Sequence, residues 1–330
     1  MKKIGWGVLG TSYFATHKMI PSMKRSRLAD VAAVASRDLD KAKKTARELD
    51  IAKAYGSYEK LLNDPDIQAV YIPLPNHLHV EWTIHALRAG KHVLCEKPIA
   101  LDAAEARRLV REAKKHPRLK VMEAFMYRFH TQWPLAHRLV RDGRLGGIKT
   151  VHAGFAIDNR DPGNIRNRVE CGGGALLDLG CYCVSFARFL FGVEPKRILG
   201  RMEIDPVFKT DVLTSGMLDF GIGTATFTCS TKLIPFQRVH VHGNAGWMEI
   251  VTPVGALPDK PVLIRLQTRD GMEEISIDAC DHYAEQADRF CEAVLEDKDV
   301  PTPLSDAVAN MKVLDAVKES HKRNAWIKIS

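Results

Sequence analysis

Glu96-Lys97-Pro98 closes a short apolar run, Val93-Leu94-Cys95. Valine and leucine favour a strand, and a proline ends one. The run therefore places Lys97 at the C-terminal tip of a buried parallel strand, where open α/β sheets hold their ligands. A lysine there sets a positive charge beside a substrate and lowers the pKa of a neighbouring acid. The competing reading is a surface lysine in a loop. A second reactive set lies in Gly172-Gly173-Gly174-Ala175-Leu176-Leu177-Asp178-Leu179-Gly180-Cys181-Tyr182, after a loop carrying Asn164-Ile165-Arg166. Asp178 and Tyr182 are four residues apart among Leu177, Leu179 and Val184, which predicts one face of one helix. The pair reads either as an acid/base site or as a Tyr–Asp hydrogen bond at an interface. A tyrosine titrates near ~10 in water, and a nearby lysine cation would bring it towards working pH.

A third set could hold a nucleotide. Gly7-Val8-Leu9-Gly10-Thr11-Ser12-Tyr13-Phe14-Ala15 is a Gly-x-Gly-x-x-Ala type of dinucleotide turn in which Ser12 replaces the middle glycine. Gly10 permits the tight turn and Ala15 a close helix–strand approach. The helix N-terminus that follows, with Thr11, Ser12 and Phe14 around it, offers N–H groups to a pyrophosphate. The next strand ends in Ser36-Arg37-Asp38, where folds that prefer NAD place an acid. A hydroxyl and a guanidinium suit a 2′-phosphate instead, with Lys41 one turn further on, so NADP is favoured over NAD. The alternative lays Arg37 on the adenine and admits both cofactors. Leu74, Pro75, Asn76 and His79 fall in the loop expected at the nicotinamide ribose, with Asn76 or His79 capping the helix that follows. His77 and His79 lack an acidic or cysteine partner at ligand spacing, so no metal is expected.

The elements needed to position these sets can be read from the apolar pattern. Strands are predicted at Ile4–Leu9, Val31–Ala35, Ala69–Ile72, His92–Cys95 and Leu119–Glu123. Helices alternate with them at Phe14–Ser22, Asp40–Leu49 (Asp40 as N-cap), Tyr58–Leu62, His79–Arg88 (closed by Gly90) and Ala103–Lys115. That alternation is a doubly wound α/β parallel sheet over residues 1–124. Residues 125–330 change texture. Helices are expected at Trp133–Arg141, Leu176–Leu190, His282–Leu295 and Ser305–Lys322. Period-two segments fall at Thr150–Ile157, Arg197–Ile204, Leu213–Phe220, Gly223–Thr228, Arg238–His242, Gly246–Val251 and Val262–Thr268, with a last strand at Ala325–Ile329. They predict an α+β domain with an open, mostly antiparallel sheet.

The chain has 330 residues and a net charge of +8, but its basic residues are interleaved with acids along helix faces, so nucleic-acid binding is not expected. No run reaches the ~18 apolar residues of a membrane helix, and no signal peptide is visible. Seven scattered cysteines predict free thiols in a reducing cytoplasm.

Taken together, these motifs resemble the glucose–fructose oxidoreductase / inositol dehydrogenase (Gfo/Idh/MocA) family over essentially the whole chain. Tyr71-Ile72-Pro73-Leu74-Pro75-Asn76-His77-Leu78-His79 and Met122-Glu123-Ala124-Phe125-Met126-Tyr127-Arg128-Phe129-His130 add to the likeness. Inositol dehydrogenase-like members place a histidine at position 182. Tyr182 instead resembles the branch with NADP-dependent D-xylose dehydrogenases, dimeric dihydrodiol dehydrogenases and glucose–fructose oxidoreductase. Ser12 resembles anhydrofructose reductases, which prefer NADPH. The resemblance implies a Rossmann domain followed by a substrate-binding and oligomerising domain. It implies Tyr182 as acid/base, Lys97 contacting the nicotinamide ribose and assisting Tyr182, and Asp178 orienting the substrate. Glu96 and Lys97 would flank the cofactor, with a cis Lys97–Pro98 bond. Arg166 and Tyr283 would reach the cofactor from the second domain, and Tyr127, Arg128 and Phe155 would touch substrate. The open sheet implies a homodimer or homotetramer. The expected activity is NADP-dependent hydride transfer to or from a sugar such as D-xylose, or a trans-dihydrodiol. A keto-sugar reductase acting on anhydro- or nucleotide-linked sugars is the alternative, and a non-catalytic NADP-sensing regulator the alternative of another class.

Overall fold

The structure, a computed structural model, describes residues 2–329. Its first sheet is all parallel and has six strands: β1 (Ile4–Leu9), β2 (Ala29–Ala35), β3 (Lys53–Tyr55), β4 (Ala69–Ile72), β5 (His92–Glu96) and β6 (Val121–Ala124). The order β3-β2-β1-β4-β5-β6 reverses direction between β1 and β4, which opens a crevice at their C-terminal ends. The helices of this region are α1 (Ile20–Arg25), α2 (Leu39–Glu48), α3 (Tyr58–Leu62), α4 (His79–Arg88) and α5 (Ala103–Ala113). β4 is buried at all four positions, as a strand covered on both faces must be. β3, three residues with no apolar alternation, carries no sequence signal, and it emerges from its pairing with β2. Asp38, rather than Asp40, caps α2: its carboxylate accepts the Asp40 and Lys41 amides. The helix begins one residue earlier than its charge pattern suggests, so the cap shifts with it.

Chain contacts divide the protein into two compact units, residues 1–126 with 281–308, and residues 127–280 with 309–330. The expected single boundary at 124/125 therefore misses a return of the chain. The returning segment contains α8 (His282–Leu295), whose Ala284, Ala287, Phe290, Cys291 and Ala293 are buried. Phe290 packs on Trp6 with ring centroids 5.3 Å apart, and Trp6 Nε1 donates to Cys291 Sγ at 3.3 Å. Asp288 accepts from Ser26 Oγ at 2.6 Å and from Leu28 N at 3.0 Å, just before β2. Burial of one such phenylalanine is worth about 1.5–3 kcal/mol, ample reason for the helix to belong to the first unit.

The second unit holds a nine-stranded sheet in the order β14-β13-β12-β11-β7-β10-β9-β8-β15. These strands are β7 (Ile148–Asp158), β8 (Arg197–Ile204), β9 (Asp211–Asp219), β10 (Thr224–Ser230), β11 (Lys232–Gly243), β12 (Gly246–Ile250), β13 (Val262–Thr268), β14 (Gly271–Ile277) and β15 (Ile327–Lys328). Every pairing is antiparallel except β7 with β10. β14, whose side chains are mostly exposed, escaped the pattern reading. The remaining helices of the chain are α6 (Gln132–Arg141), α7 (Cys181–Phe191) and α9 (Leu304–Arg323). The stretch Val169–Phe191 holds an 18-residue window with a mean hydropathy of 1.4, apolar enough by length and composition alone to cross a membrane. Asp178 and Arg188 interrupt it, so it is not a continuous apolar run, and 94% of that window is buried inside the fold, as the core helix of a sheet-packed domain would be.

Candidate active site

In the first unit the dinucleotide turn sits at the tip of β1. Gly10 has φ +124°, and a Cβ there would stand 3.2 Å from Leu74 Cδ2, so both conformation and space call for glycine. Ser12 Oγ accepts the Ala15 amide at 3.2 Å, and its carbonyl accepts Thr16 N at 3.0 Å. The serine thus starts the helix while keeping its own hydroxyl proton to donate. The first turn, Ala15–Met19, is a π turn, a form frequent at functional sites. Ala15 is fully buried, as a tight helix–strand contact requires.

At the tip of β2, Ser36 is buried and accepts the Asp38 amide at 3.2 Å. Arg37 and Lys41 are exposed. Asp38, the nearby acid that could have taken a ribose hydroxyl, is committed to the α2 cap. Among the described residues no carboxylate forms an ion pair with Arg37. A buried hydroxyl, uncommitted cations and an occupied acid fit a nucleotide that carries a 2′-phosphate.

His79 does something the sequence did not suggest. It is 1% exposed, and its Nδ1 and Nε2 each lie 2.7 Å from a carbonyl oxygen, of Pro98 and Leu74 respectively. It sits between the loop after β4 and the loop after β5, and its neutral ring, with a single N–H, donates to one of these two carbonyls. Burial pushes its pKa down to about 4, against the pull of the two carbonyls. No side chain caps α4, so neither Asn76 nor His79 plays that part. Pro75 precedes a short turn at Asn76–Leu78.

Glu96 Oε1 accepts the buried Tyr71 hydroxyl at 2.7 Å, and Oε2 accepts the Lys97 amide at 3.3 Å. The carboxylate thereby shapes the turn that carries Lys97. The Lys97–Pro98 bond is cis. Tyr283, expected from the second domain, belongs to the first unit and packs edge-on against Phe14 at 5.6 Å. Burial, with the Glu96 charge, raises its pKa. Thr11 is half-buried beside Gly10.

In the second unit Arg166 Nε meets Asp178 Oδ2 at 2.5 Å. The Asp178 charge holds the Arg166 pKa up against burial, and Tyr182 adds to this. The guanidinium is presented by a turn that Asn164 starts, its side chain accepting the Arg166 amide at 3.1 Å. A Cβ at Gly173 would fall 2.5 Å from the Arg166 carbonyl oxygen, so the glycine lets this turn press onto the helix start. The helix opens with another π turn, Leu176–Gly180, and runs on into α7. Asp211 from β9 holds its N-terminal end, accepting Leu176 N and the Thr214 hydroxyl, each at 2.7 Å.

Asp178 is 9% exposed and Tyr182 4%. Rings surround Tyr182: Phe155 at 5.7 Å, Tyr127 at 6.0 Å and Phe186 at 6.2 Å. Phe155 is half-buried. Tyr127 is fully buried, its hydroxyl 2.7 Å from Ser185 Oγ. Arg128 donates to the Tyr127 hydroxyl at 3.1 Å and to Ser185 Oγ at 2.9 Å. Ser185 lies seven residues after Asp178 on the same helix, a spacing that could have flagged it. Asp211 and Tyr71 had no such signal: one sits in a distant strand, the other in an apolar run. Among the described residues no cluster of three or more His, Cys, Asp or Glu side chains is placed to hold a metal ion.

A parallel sheet with a glycine turn at its switch point, joined to a domain that buries an aspartate and a tyrosine on one helix, defines a nucleotide-dependent oxidoreductase. The chain belongs to the Gfo/Idh/MocA family. The family's "Oxidoreductase family, NAD-binding Rossmann fold" model matches residues 4–125 and its C-terminal domain model matches residues 133–249. A D-xylose 1-dehydrogenase (NADP(+)) of Haloferax volcanii is 33% identical over 98% of this chain and 99% of its own. A trans-1,2-dihydrobenzene-1,2-diol dehydrogenase of Bos taurus is 35% identical over 75% of this chain and 72% of its own. The crystal structure of a 3-ketoreductase from Actinomadura kijaniata in complex with NADP and TDP-benzene superposes with a TM-score of 0.91, at 29% identity, covering 97% of this chain and 98% of that one.

Proposed function

We propose that this oxidoreductase uses NADP to move hydride to or from the carbinol carbon of an uncharged sugar or cyclic diol. The observation that carries the reading is the Arg166–Asp178 ion pair with Tyr182 beside it on the same helix. In the oxidising direction Tyr182 accepts the hydroxyl proton of the substrate as hydride leaves the adjoining carbon, and a carbonyl forms. Asp178, kept ionised by Arg166, accepts a hydrogen bond from a substrate hydroxyl and orients the ring. The Arg166 cation favours the phenolate of Tyr182, and Lys97 assists as a further cation. The nicotinamide, when bound, supplies the hydride acceptor. Gly10, Thr11, Ser12, Phe14 and Ala15 would cradle the pyrophosphate, and Ser36, Arg37 and Lys41 the 2′-phosphate. Leu74, Pro75, Asn76, Glu96, Lys97 and Tyr283 would line the nicotinamide half.

The uncharged class is favoured because Arg166, the arginine that meets Asp178, is already matched in charge. Arg160 and Arg168 likewise have acidic partners, Asp158 and Glu170, in exposed pairs. Reduction of a keto-sugar is the second reading, supported by the likeness to the 3-ketoreductase. A cytoplasmic location accords with seven free cysteines. Exposed Leu233, Ile234 and Phe236 on β11 suit burial in a homodimer or homotetramer.

The test is absorbance at the reduced-nicotinamide band, with NADP or NAD and a panel of aldoses, polyols and trans-diols. Turnover with NADP and an aldopyranose or trans-diol supports the reading. Silence across the panel, with NADPH oxidised by a keto-sugar, transfers the protein to the second reading.

A further inference from the structure

The tip of β2 has a neighbour that only the fold brings there. β3 pairs in parallel with β2, with Tyr55 opposite Ala35, and Ser36 N donates to the Tyr55 carbonyl at 3.0 Å. The chain then turns through Gly56, where a Cβ would stand 3.2 Å from Leu39 Cβ, and enters α3 at Tyr58. Tyr58 is 7% exposed. Its ring is braced edge-on by Trp82, centroids 4.8 Å apart. Its hydroxyl reaches within 4.0 Å of the position a Cβ on Gly10 would take, so it stands at the dinucleotide turn. The Arg37 guanidinium lies beside that same hydroxyl.

A ring buried only for packing needs no hydroxyl, and phenylalanine would fill the space. Here the oxygen is aimed between a phosphate-binding turn and an arginine that has no carboxylate partner among the described residues. Burial keeps the phenol protonated, so it is an O–H donor. No group among the described residues accepts that proton.

We propose that Tyr58 is a cofactor-specificity residue: its hydroxyl donates to the adenosine 2′-phosphate and, with Arg37, selects NADP over NAD. The proposal rests on the NADP reading above. A phosphate dianion makes a stronger, charge-assisted hydrogen bond than the neutral ribose hydroxyl that NAD presents at the same place.

Dissociation constants for NADPH and NADH, read from cofactor fluorescence on the full chain, test it with Tyr58→Phe, Arg37→Ala and the double variant. Tyr58→Phe should weaken NADPH about tenfold and change NADH by no more than about twofold. The double variant should lose less NADPH affinity than the product of the single losses, since both groups would serve one phosphate. If Arg37→Ala still separates the two cofactors while Tyr58→Phe weakens both equally, or neither, the proposal is overturned. If Arg37→Ala weakens both cofactors alike, the 2′-phosphate reading goes and the proposal with it. Circular dichroism melting of Tyr58→Phe should match the parent, which keeps a folding defect from imitating the expected result.

Discussion

The dinucleotide turn and the Asp178–Tyr182 helix solve a similar problem by opposite means. Each begins with a π turn, Ala15–Met19 in one and Leu176–Gly180 in the other. At the first, the working groups are backbone N–H groups, and neighbours in sequence shape them: Gly10 bends the chain and Ser12 starts the helix. At the second, the working groups are buried side chains, and partners distant along the chain hold them. Arg166 neutralises Asp178, Asp211 anchors the helix start, and Phe155 and Tyr127 wall Tyr182. A backbone site needs only local conformation. A buried ionisable pair needs compensating charge, because desolvation disfavours each ion alone.

That contrast can be broken most directly at Tyr182. Tyr182→Phe should cut kcat by roughly three orders of magnitude, the middle of the range for acid–base assistance, and leave the NADPH dissociation constant unchanged. Steady-state rates beside fluorescence titration read both, and retained turnover would remove Tyr182 from the acid/base role. On the cofactor side the expected pattern is reversed. Arg37→Ala should weaken NADPH about tenfold or more, spare NADH, and leave kcat at saturating cofactor within about twofold.

His79 gives a pH test of the clamp between the two cofactor loops. Its folded pKa is lowered to about 4, below the ordinary histidine value, so folding favours the neutral ring. That contribution is complete above pH ~6.5 and is lost as the pH falls towards 4, by about 3 kcal/mol at most. The melting temperature should therefore drop between pH 7 and pH 4.5, and His79→Gln should flatten the slope. An unchanged slope would assign the drop to other groups. The smallest effect is expected at Asp38. Asp38→Ala should cost about 1 kcal/mol in urea unfolding through loss of the α2 cap. It should also leave the NADPH/NADH preference as it is, since the carboxylate serves the Asp40 and Lys41 amides.

Much of the first unit was legible before the fold was seen. Glycine, proline and alternating apolar runs act over a few residues, so the strand tips carrying Gly10, Arg37 and Lys97 could be located within a residue or two. Short or exposed strands were not legible, because β3 and β14 lack an apolar stripe and exist through their partners. The return of α8 was hidden too: its amphipathic face identifies a helix but not the surface it covers. In the candidate site the sequence flagged Asp178 and Tyr182 by their spacing. It did not show that His79 lies against two backbone carbonyls instead of capping α4, or that the Tyr127 hydroxyl meets Ser185.

By itself, then, the sequence determined the family, the order of the elements and the positions where backbone sterics admit one kind of residue. Only the tertiary structure decided which ions are paired, which rings are buried and which hydroxyl stands beside Arg37. The physical reason is range. Dihedral preference is set by the residue and its neighbours, whereas desolvation and charge compensation depend on groups that folding brings together from dozens to hundreds of residues away.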